Sequence, residues 1–312
     1  MTRLVLVHGR DLDGRDPEAL ESQWLGALGA GLAAAGSPLR PTDDDASFVY
    51  YGDTLERLVD GGTPPPVTVH ALAADPAALP RLVGALPDSE LRFVLDVARE
   101  VLAGAGHRPD VAPPVAEGVV ADALVEAAVA ALALVDRYVP GVSAAVLLTL
   151  TRDVYAYLHD DAVRRVIDAG LADVLTDATA GGEPSVVVAH SLGSVVAYSV
   201  LSDRTGGPDV PLLLTPGSPL GIRAIRDALG PLTFPAGVAR WVSPRDPRDL
   251  LALHDLTPDV FPLPAGSPGI EALRVTNRAP GFHAAAYRLD DGAWAGYLAL
   301  PEVAGPVGDA LT

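Results

Sequence analysis

Residues 186–194 read Val-Val-Val-Ala-His-Ser-Leu-Gly-Ser, a pattern that leaves the backbone little choice. The short run of β-branched residues suits a buried strand and is too brief for a helix. It breaks at a small-His-Ser-x-Gly turn, and an apolar helical pattern resumes over residues 195–201. Strand, sharp turn and helix in that order lift a serine hydroxyl clear of a sheet edge, where it can act as a nucleophile. Strand and helix crowd together beside such a serine, so only small side chains fit there, and Ala189 and Gly193 hold those positions. Ala189 stands where the pattern usually has Gly, a difference of one methyl. Ser191 is the candidate nucleophile.

The beginning of the chain carries a second signal. Residues 4–10 read Leu-Val-Leu-Val-His-Gly-Arg, an apolar strand running into His-Gly. A polar loop over residues 11–16 follows, and Pro17 suits the first turn of a helix over residues 17–35. Taken alone, His-Gly also suits a plain flexible turn closing a strand. After Ser191 come three more strand-like runs, at residues 210–215, 239–243 and 272–276. The second enters Pro244-Arg245-Asp246-Pro247-Arg248-Asp249, and the third enters Asn277-Arg278-Ala279-Pro280-Gly281-Phe282-His283. Serine, acid and histidine, each just past the end of a separate strand, stand in the chain order of a Ser-Asp-His triad built on a parallel sheet. The acid has two candidates. Asp246 lies nearer the strand end, and Pro247 between the two opposes both carboxylates meeting one imidazole.

With these pieces the chain resembles the α/β-hydrolases, and more narrowly the bacterial lipase-like and esterase-like serine hydrolases. The resembling segments are Val7-His8-Gly9, residues 153–158, residues 188–194, the Thr215-Pro216-Gly217-Ser218-Pro219-Leu220-Gly221 run, Arg240-Trp241-Val242 and His283-Ala284. They cover both ends and the second half; residues 53–151 match nothing of that kind. The resemblance implies one α/β-hydrolase domain over residues 1–312, with a mainly parallel sheet of about six strands and a helical cap inserted at residues 89–180. It implies cleavage of an ester, thioester or amide through an acyl-enzyme, a small-molecule acyl substrate and no cofactor. Ser191 would be the nucleophile, His283 the base and Asp249 the acid, with Asp246 as the alternative. Asp249 is preferred because in lipase-like relatives the acid directly precedes a short apolar run such as Leu250-Leu251-Ala252. Backbone N–H groups of Arg10 and Leu192 would form the oxyanion hole. The superfamily also includes members without catalysis. The alternative reading is therefore a ligand-binding or partner-binding protein that works through its cap, against which the intact Ser, Asp and His stand.

Composition narrows the chemistry further. The chain has no cysteine and no lysine. Thiolate nucleophiles, cysteine-bound metals, disulfides and Schiff-base chemistry are thereby excluded. A formal charge of −18 argues against nucleic acid and against electrostatic binding to anionic membrane. The first residues enter a core strand directly, without a charged leader or cleavage site, which predicts no signal peptide and a cytoplasmic protein. Nothing in the residues speaks to oligomeric state.

Residues 47–52 form a second strand candidate. Pro64-Pro65-Pro66 marks an extended break, and Pro76, Pro80 and Pro87 prevent one continuous helix. From residue 89 to 179 the pattern is helical, with breaks at 104–114 and at Pro140-Gly141. Its most apolar part, residues 119–135 and then 142–150, falls short of the ~18 uninterrupted apolar residues of a transmembrane helix. It is read as a buried helical pair, or alternatively as a lid over an acyl pocket or a surface meeting a membrane or second subunit. No histidine pair has zinc-site spacing, and Asp11, Asp13 and Asp16 do not match a calcium loop, so no metal is expected. His190 is expected to pack beneath the serine turn, His8 to be structural, and His254 to follow Asp249 too closely to serve as the base. His70, His107 and His159 are read as ordinary surface or core residues.

Overall fold

The first strand of the chain lies one place in from an edge of the sheet. The computed structural model describes residues 2–9, 16–52, 55, 78–108, 121–203 and 209–312, apart from the side chains of residues 121 and 179. β1 (Arg3–Val7), β2 (Ala46–Val49), β3 (Ser185–Ala189), β4 (Leu212–Leu214), β5 (Trp241–Arg245) and β6 (Ile270–Arg274) form one sheet in the order β2-β1-β3-β4-β5-β6. Every neighbouring pair is parallel. The chain is an α/β fold with a six-stranded parallel sheet. A short antiparallel hairpin, β7 (Tyr287–Arg288) with β8 (Trp294–Ala295), lies apart from it.

The continuous apolar runs of β1 and β3 follow from burial on both faces. Leu4, Leu6, Val186 and Val188 point into a core shared with Trp24, Leu28 and Leu32 of α1 (Pro17–Ala34) and Val303 and Val307 of α9 (Pro301–Leu311). Val5, Val7, Val187 and Ala189 point into the opposite core. On that second face α6 (Asp161–Ala180) and α7 (Leu192–Asp203) lie against the strands, and α3 (Asp88–Gly104), α4 (Ala121–Tyr138) and α5 (Ala144–His159) pack with them in the same core, with the short α2 (Ala78–Val83) and α8 (Arg223–Ala228) at its margin. In α3, Leu91, Val94, Leu95, Ala98, Val101 and Leu102 are buried, the three- and four-residue spacing of a single inward stripe. Leu124, Ala128, Ala131, Leu132 and Val135 of α4 are buried in the same core. From residue 121 on, that apolar stretch is accounted for by packing against the neighbouring helices, chiefly α3.

Helix boundaries have local causes. Asp16 caps α1 by accepting from the Ala19 N–H at 3.3 Å, with Pro17 at the first helical position. Ser143 caps α5 through the Val146 N–H at 3.2 Å, after a turn in which Gly141 has φ 79°. Between α5 and α6 the chain breaks where the sequence pattern runs on. Asp160 accepts from the N–H groups of Ala162 and Val163, at 2.8 and 3.2 Å, and so starts a new helix.

β2 and β4 are shorter than the expected 47–52 and 210–215, and two further strands are shifted by two residues. β5 spans Trp241–Arg245 and β6 spans Ile270–Arg274, whereas the apolar runs pointed to 239–243 and 272–276. β6 is an edge strand, and residues 270–274 are half-buried or exposed. Its register comes from main-chain pairing, Trp241 with Ile270 through Arg245 with Arg274, and an apolar pattern cannot report that.

Candidate active site

β1 and β3 are adjacent, yet the helices that follow them go to opposite faces: α1 to one core and α7 to the other. Their C-terminal ends therefore part and leave a crevice, the place where open parallel sheets take ligands. Ser191 stands at that divergence. It has φ 54°, a left-handed conformation that is costly for a residue with a Cβ, by about 1–3 kcal/mol. The tight turn leaves no room around it. A Cβ on Gly193 would fall onto the Val7 carbonyl oxygen and come within 2.8 Å of that of His8. One on Gly9 would sit 3.1 Å from the Ser191 Cβ.

The Ser191 hydroxyl lies 3.0 Å from Nε2 of His283. Nδ1 of His283 lies 2.9 Å from Oδ2 and 3.1 Å from Oδ1 of Asp249. A carboxylate accepts, so Nδ1 carries the proton and donates to Asp249; Nε2 is then free to accept from the serine hydroxyl. Asp249 is fully buried and the imidazole half-buried. Two main-chain donors, the N–H groups of Leu251 and Ala252, reach Asp249 Oδ1 at 3.0 and 3.2 Å, and the Tyr297 hydroxyl donates to Oδ2 at 2.7 Å. The arrangement can draw a proton from a hydroxyl and stabilise the imidazolium that results.

Asp246 is held elsewhere. Its carboxylate accepts from Nε and Nη2 of Arg248 at 2.9 and 2.6 Å, and from the main-chain N–H groups of Arg248 and Asn277 at 2.8 and 2.7 Å. Burial alone would raise its carboxyl, but the Arg248 guanidinium and the two N–H groups outweigh that and hold it below the usual carboxylate range. Of the two candidate acids, only Asp249 reaches His283.

The loop carrying His283 is braced from within. Asn277 accepts from the Ala279 N–H at 2.9 Å and donates from Nδ2 to the carbonyls of Phe282 and Ala284, both at 3.0 Å. Gly281 and Phe282 have φ 71° and 62°, and Arg248 covers the Phe282 ring at 4.0 Å. A Cβ on Gly281 would lie 3.0 Å from the Gly141 carbonyl oxygen, so the turn before α5 rests directly on this loop.

His190 is buried under the turn, and its Nε2 lies 2.6 Å from the His283 carbonyl oxygen. Burial, and after it the nearby His283 imidazole, pushes its pKa well below the ordinary value. Gly217 explains its own place in the Thr-Pro-Gly-Ser run. With φ 61°, it passes where a Cβ would meet His190 Nε2 at 3.0 Å and the Tyr297 ring at 3.1 Å.

Leu192 opens α7, so its N–H is one of the orphan donors of that helix's first turn, at the positive end of the dipole. Arg10, the other expected oxyanion donor, lies outside the described residues, as do Asp11 and Asp13. His8 packs on Trp24 with ring centroids 5.3 Å apart. His254 pairs with Glu100 at 2.7 Å and does not line the cavity over Ser191, while His107 stacks on Tyr138 and His159 packs beside Phe93. His70 is outside the described residues.

A cavity of about 300 Å³ opens over Ser191. Leu20 and Trp24 of α1, Val146 and Leu150 of α5, and Leu251 supply its apolar walls. Among the described residues, no group of three or more His, Asp or Glu side chains is placed to hold a metal ion, and no helix is long and apolar enough to cross a membrane. No family model, curated protein or solved structure matches the chain.

The sequence did not single out Tyr297. It lies 48 residues beyond Asp249, and a tyrosine's hydrogen-bond partner at that distance leaves no local pattern.

Proposed function

We propose that this protein is a serine hydrolase of the α/β-hydrolase type, cleaving a carboxylic ester, or a related thioester or amide, through an acyl-enzyme. The observation that carries this reading is the unbroken hydrogen-bonded chain from Ser191 Oγ through His283 to Asp249, standing in the crevice between β1 and β3.

Ser191 Oγ attacks the acyl carbonyl carbon as His283 Nε2 takes the hydroxyl proton. The carbonyl π pair moves onto oxygen. The Leu192 N–H, an orphan donor at the start of α7, would meet that charge, with the Arg10 N–H expected beside it from the family resemblance; one such donor is worth roughly 3–4 kcal/mol in a measured serine protease. Collapse of the tetrahedral adduct breaks the bond to the leaving group, which receives the proton from Nε2. Water then repeats the sequence on the acyl-enzyme: His283 takes its proton, the carboxylic acid leaves, and Ser191 recovers its hydrogen. Asp249 keeps Nδ1 protonated throughout and offsets the imidazolium charge.

The 300 Å³ cavity, whose apolar walls include the Trp24 ring, is at the small end of the range for ligand sites and suits a short apolar acyl group. A fluorophosphonate probe tests the reading. The adduct is expected on the peptide containing Ser191, with Ser191→Ala abolishing both labelling and turnover of p-nitrophenyl esters while the protein stays folded. An adduct on Ser194 or Ser218, or no adduct at all, would reject it, the latter in favour of a non-catalytic binding protein.

A further inference from the structure

Among the described residues the carboxylate of Asp249 has four donors, and three of them, the His283 Nδ1–H and the two main-chain N–H groups, come from elements that the triad reading already requires. The fourth is Tyr297, in the one-turn 3₁₀ helix Tyr297–Ala299 that follows β8. Its side chain is fully buried. Its hydroxyl makes two bonds: it donates to Asp249 Oδ2 at 2.7 Å and accepts from the Asp246 N–H at 2.9 Å. One oxygen thus joins the loop after β5 at two points, three residues apart. The N–H groups of Leu251 and Ala252 restrain only Oδ1, so Tyr297 is the donor that restrains Oδ2, the oxygen closer to His283.

We infer that Tyr297 is a positioning residue for the reaction, its hydroxyl fixing the rotation of the Asp249 carboxylate so that Oδ2 meets Nδ1 of His283. This inference rests on the Ser191–His283–Asp249 reading and extends it to the C-terminal segment of the chain. The ring is itself held in place. It packs 6.1 Å from the His190 ring, and Gly217 leaves the space it occupies. Burial, with Asp249 beside it, raises the Tyr297 hydroxyl far above its ordinary pKa, so it stays a donor at every pH the protein would meet. Without the hydroxyl, Asp249 retains its charge and its two main-chain donors but loses the restraint on Oδ2. The tautomer and orientation of His283 are then held less firmly during acyl transfer.

Tyr297→Phe removes this oxygen and little else. Tyr157→Phe is the matched control, because Tyr157 is also fully buried and also donates to a carboxylate at 2.7 Å, that of Asp168, away from the site. The expected result is that Tyr297→Phe lowers kcat on p-nitrophenyl esters about tenfold, the scale of losing one hydrogen bond to a charged acceptor, and leaves KM unchanged. Fluorophosphonate labelling of Ser191 should slow in parallel. Tyr157→Phe should lose thermal stability without losing kcat. In proton NMR, the downfield His283 Nδ1–H resonance should move in Tyr297→Phe and stay in Tyr157→Phe. That signal reports the link without needing turnover. Wild-type kcat and an unmoved resonance in Tyr297→Phe would overturn the inference and leave the triad standing, as would equal losses of kcat in the two variants. Full activity in Ser191→Ala would instead overturn the triad reading beneath it.

Discussion

Nε2 of His190 lies 2.6 Å from the main-chain carbonyl oxygen of His283, which ties the residue before the candidate nucleophile to the backbone of the candidate base. A carbonyl only accepts, so Nε2 carries the proton and donates it in this bond. The turn after β3 therefore sets the position of Ser191 and, through its neighbour, the position of the loop that brings in His283. The two rings sit 4.7 Å apart, close enough that a charge on one opposes a charge on the other.

A pH dependence of stability follows. His190 is held neutral in the folded protein, first by burial and then by His283, with its pKa well below the 6.5 of a free imidazole. Above about pH 6.5 neither folded nor unfolded chain binds a proton there, and the contribution is complete. As the pH falls below 6.5 the unfolded chain takes up a proton that the folded protein refuses, and stability declines by up to about 1.4 kcal/mol per pH unit until the depressed folded pKa is reached. Urea unfolding between pH 8 and pH 5 should show that decline, and His190→Gln, which retains a donor of similar reach, should show less of it. Identical slopes would mean that His190 accepts a proton while folded.

Glycine at position 193 is a requirement of close approach. Gly193→Ala would drive a methyl into the carbonyls that close β1, neither of which is the end of a flexible side chain. A loss of about 1–3 kcal/mol in unfolding free energy is expected, the range for overpacking a filled site. Gly29→Ala makes the contrast, since outside its own helix nothing among the described residues lies within 4 Å of where its Cβ would be. The same substitution there should be neutral or slightly stabilising, as Ala favours a helix interior over Gly by up to about 1 kcal/mol.

The base is tested by two histidines that follow the same acidic loop at different distances. His283→Ala should lower kcat by about 10⁴ to 10⁶, the scale seen when one member of a cooperating triad is removed. His254→Ala should leave kcat intact, because His254 is engaged with Glu100 at 2.7 Å and does not line the cavity over Ser191. A greater loss in His254→Ala would reverse the assignment.

What could be read beforehand from residue order was whatever short-range sterics or strand order imposes. The strand, turn and helix around Ser191 need small residues at fixed offsets, and the chain has them at 189 and 193. The serine, acid and histidine each stand past the end of a separate strand, so a parallel sheet brings them to one edge. Less could be read where the decisive contacts join distant segments. Tyr297 reaches Asp249 across 48 residues, and Asn277 acts through main-chain carbonyls that any residue at 282 and 284 would offer. The ends of β6 lie two residues from the apolar run because an exposed edge strand carries no alternation to mark them. The break between α5 and α6 had a signal, Asp160 as a cap, that an unbroken apolar periodicity outweighed.

The choice between the two acids is the most decisive measurement on the site, because Asp246 and Asp249 are three residues apart and both are buried. Asp249 faces His283 Nδ1 at 2.9 Å, whereas Asp246 spends its oxygens on Arg248 and on the Asn277 N–H. Asp249→Asn can keep the acceptor oxygen for Leu251 and Ala252, so the fold should survive, but its amide can donate to Nδ1. The imidazole would then adopt the tautomer with the proton on Nε2, facing the serine, and could no longer accept the hydroxyl proton. A fall of about 10⁴ in kcat is expected, as for the same change in a well-studied serine protease. Asp246→Asn should act through stability instead. It weakens the bond to Arg248 and loosens the start of the Asn277 loop, at about 1–3 kcal/mol, with a much smaller change in kcat. Both variants, measured together with thermal melts, separate the roles; a loss of 10⁴ confined to Asp246→Asn would show that the orienting charge comes from Asp246 and that the Asp249–His283 contact is not the one used in turnover.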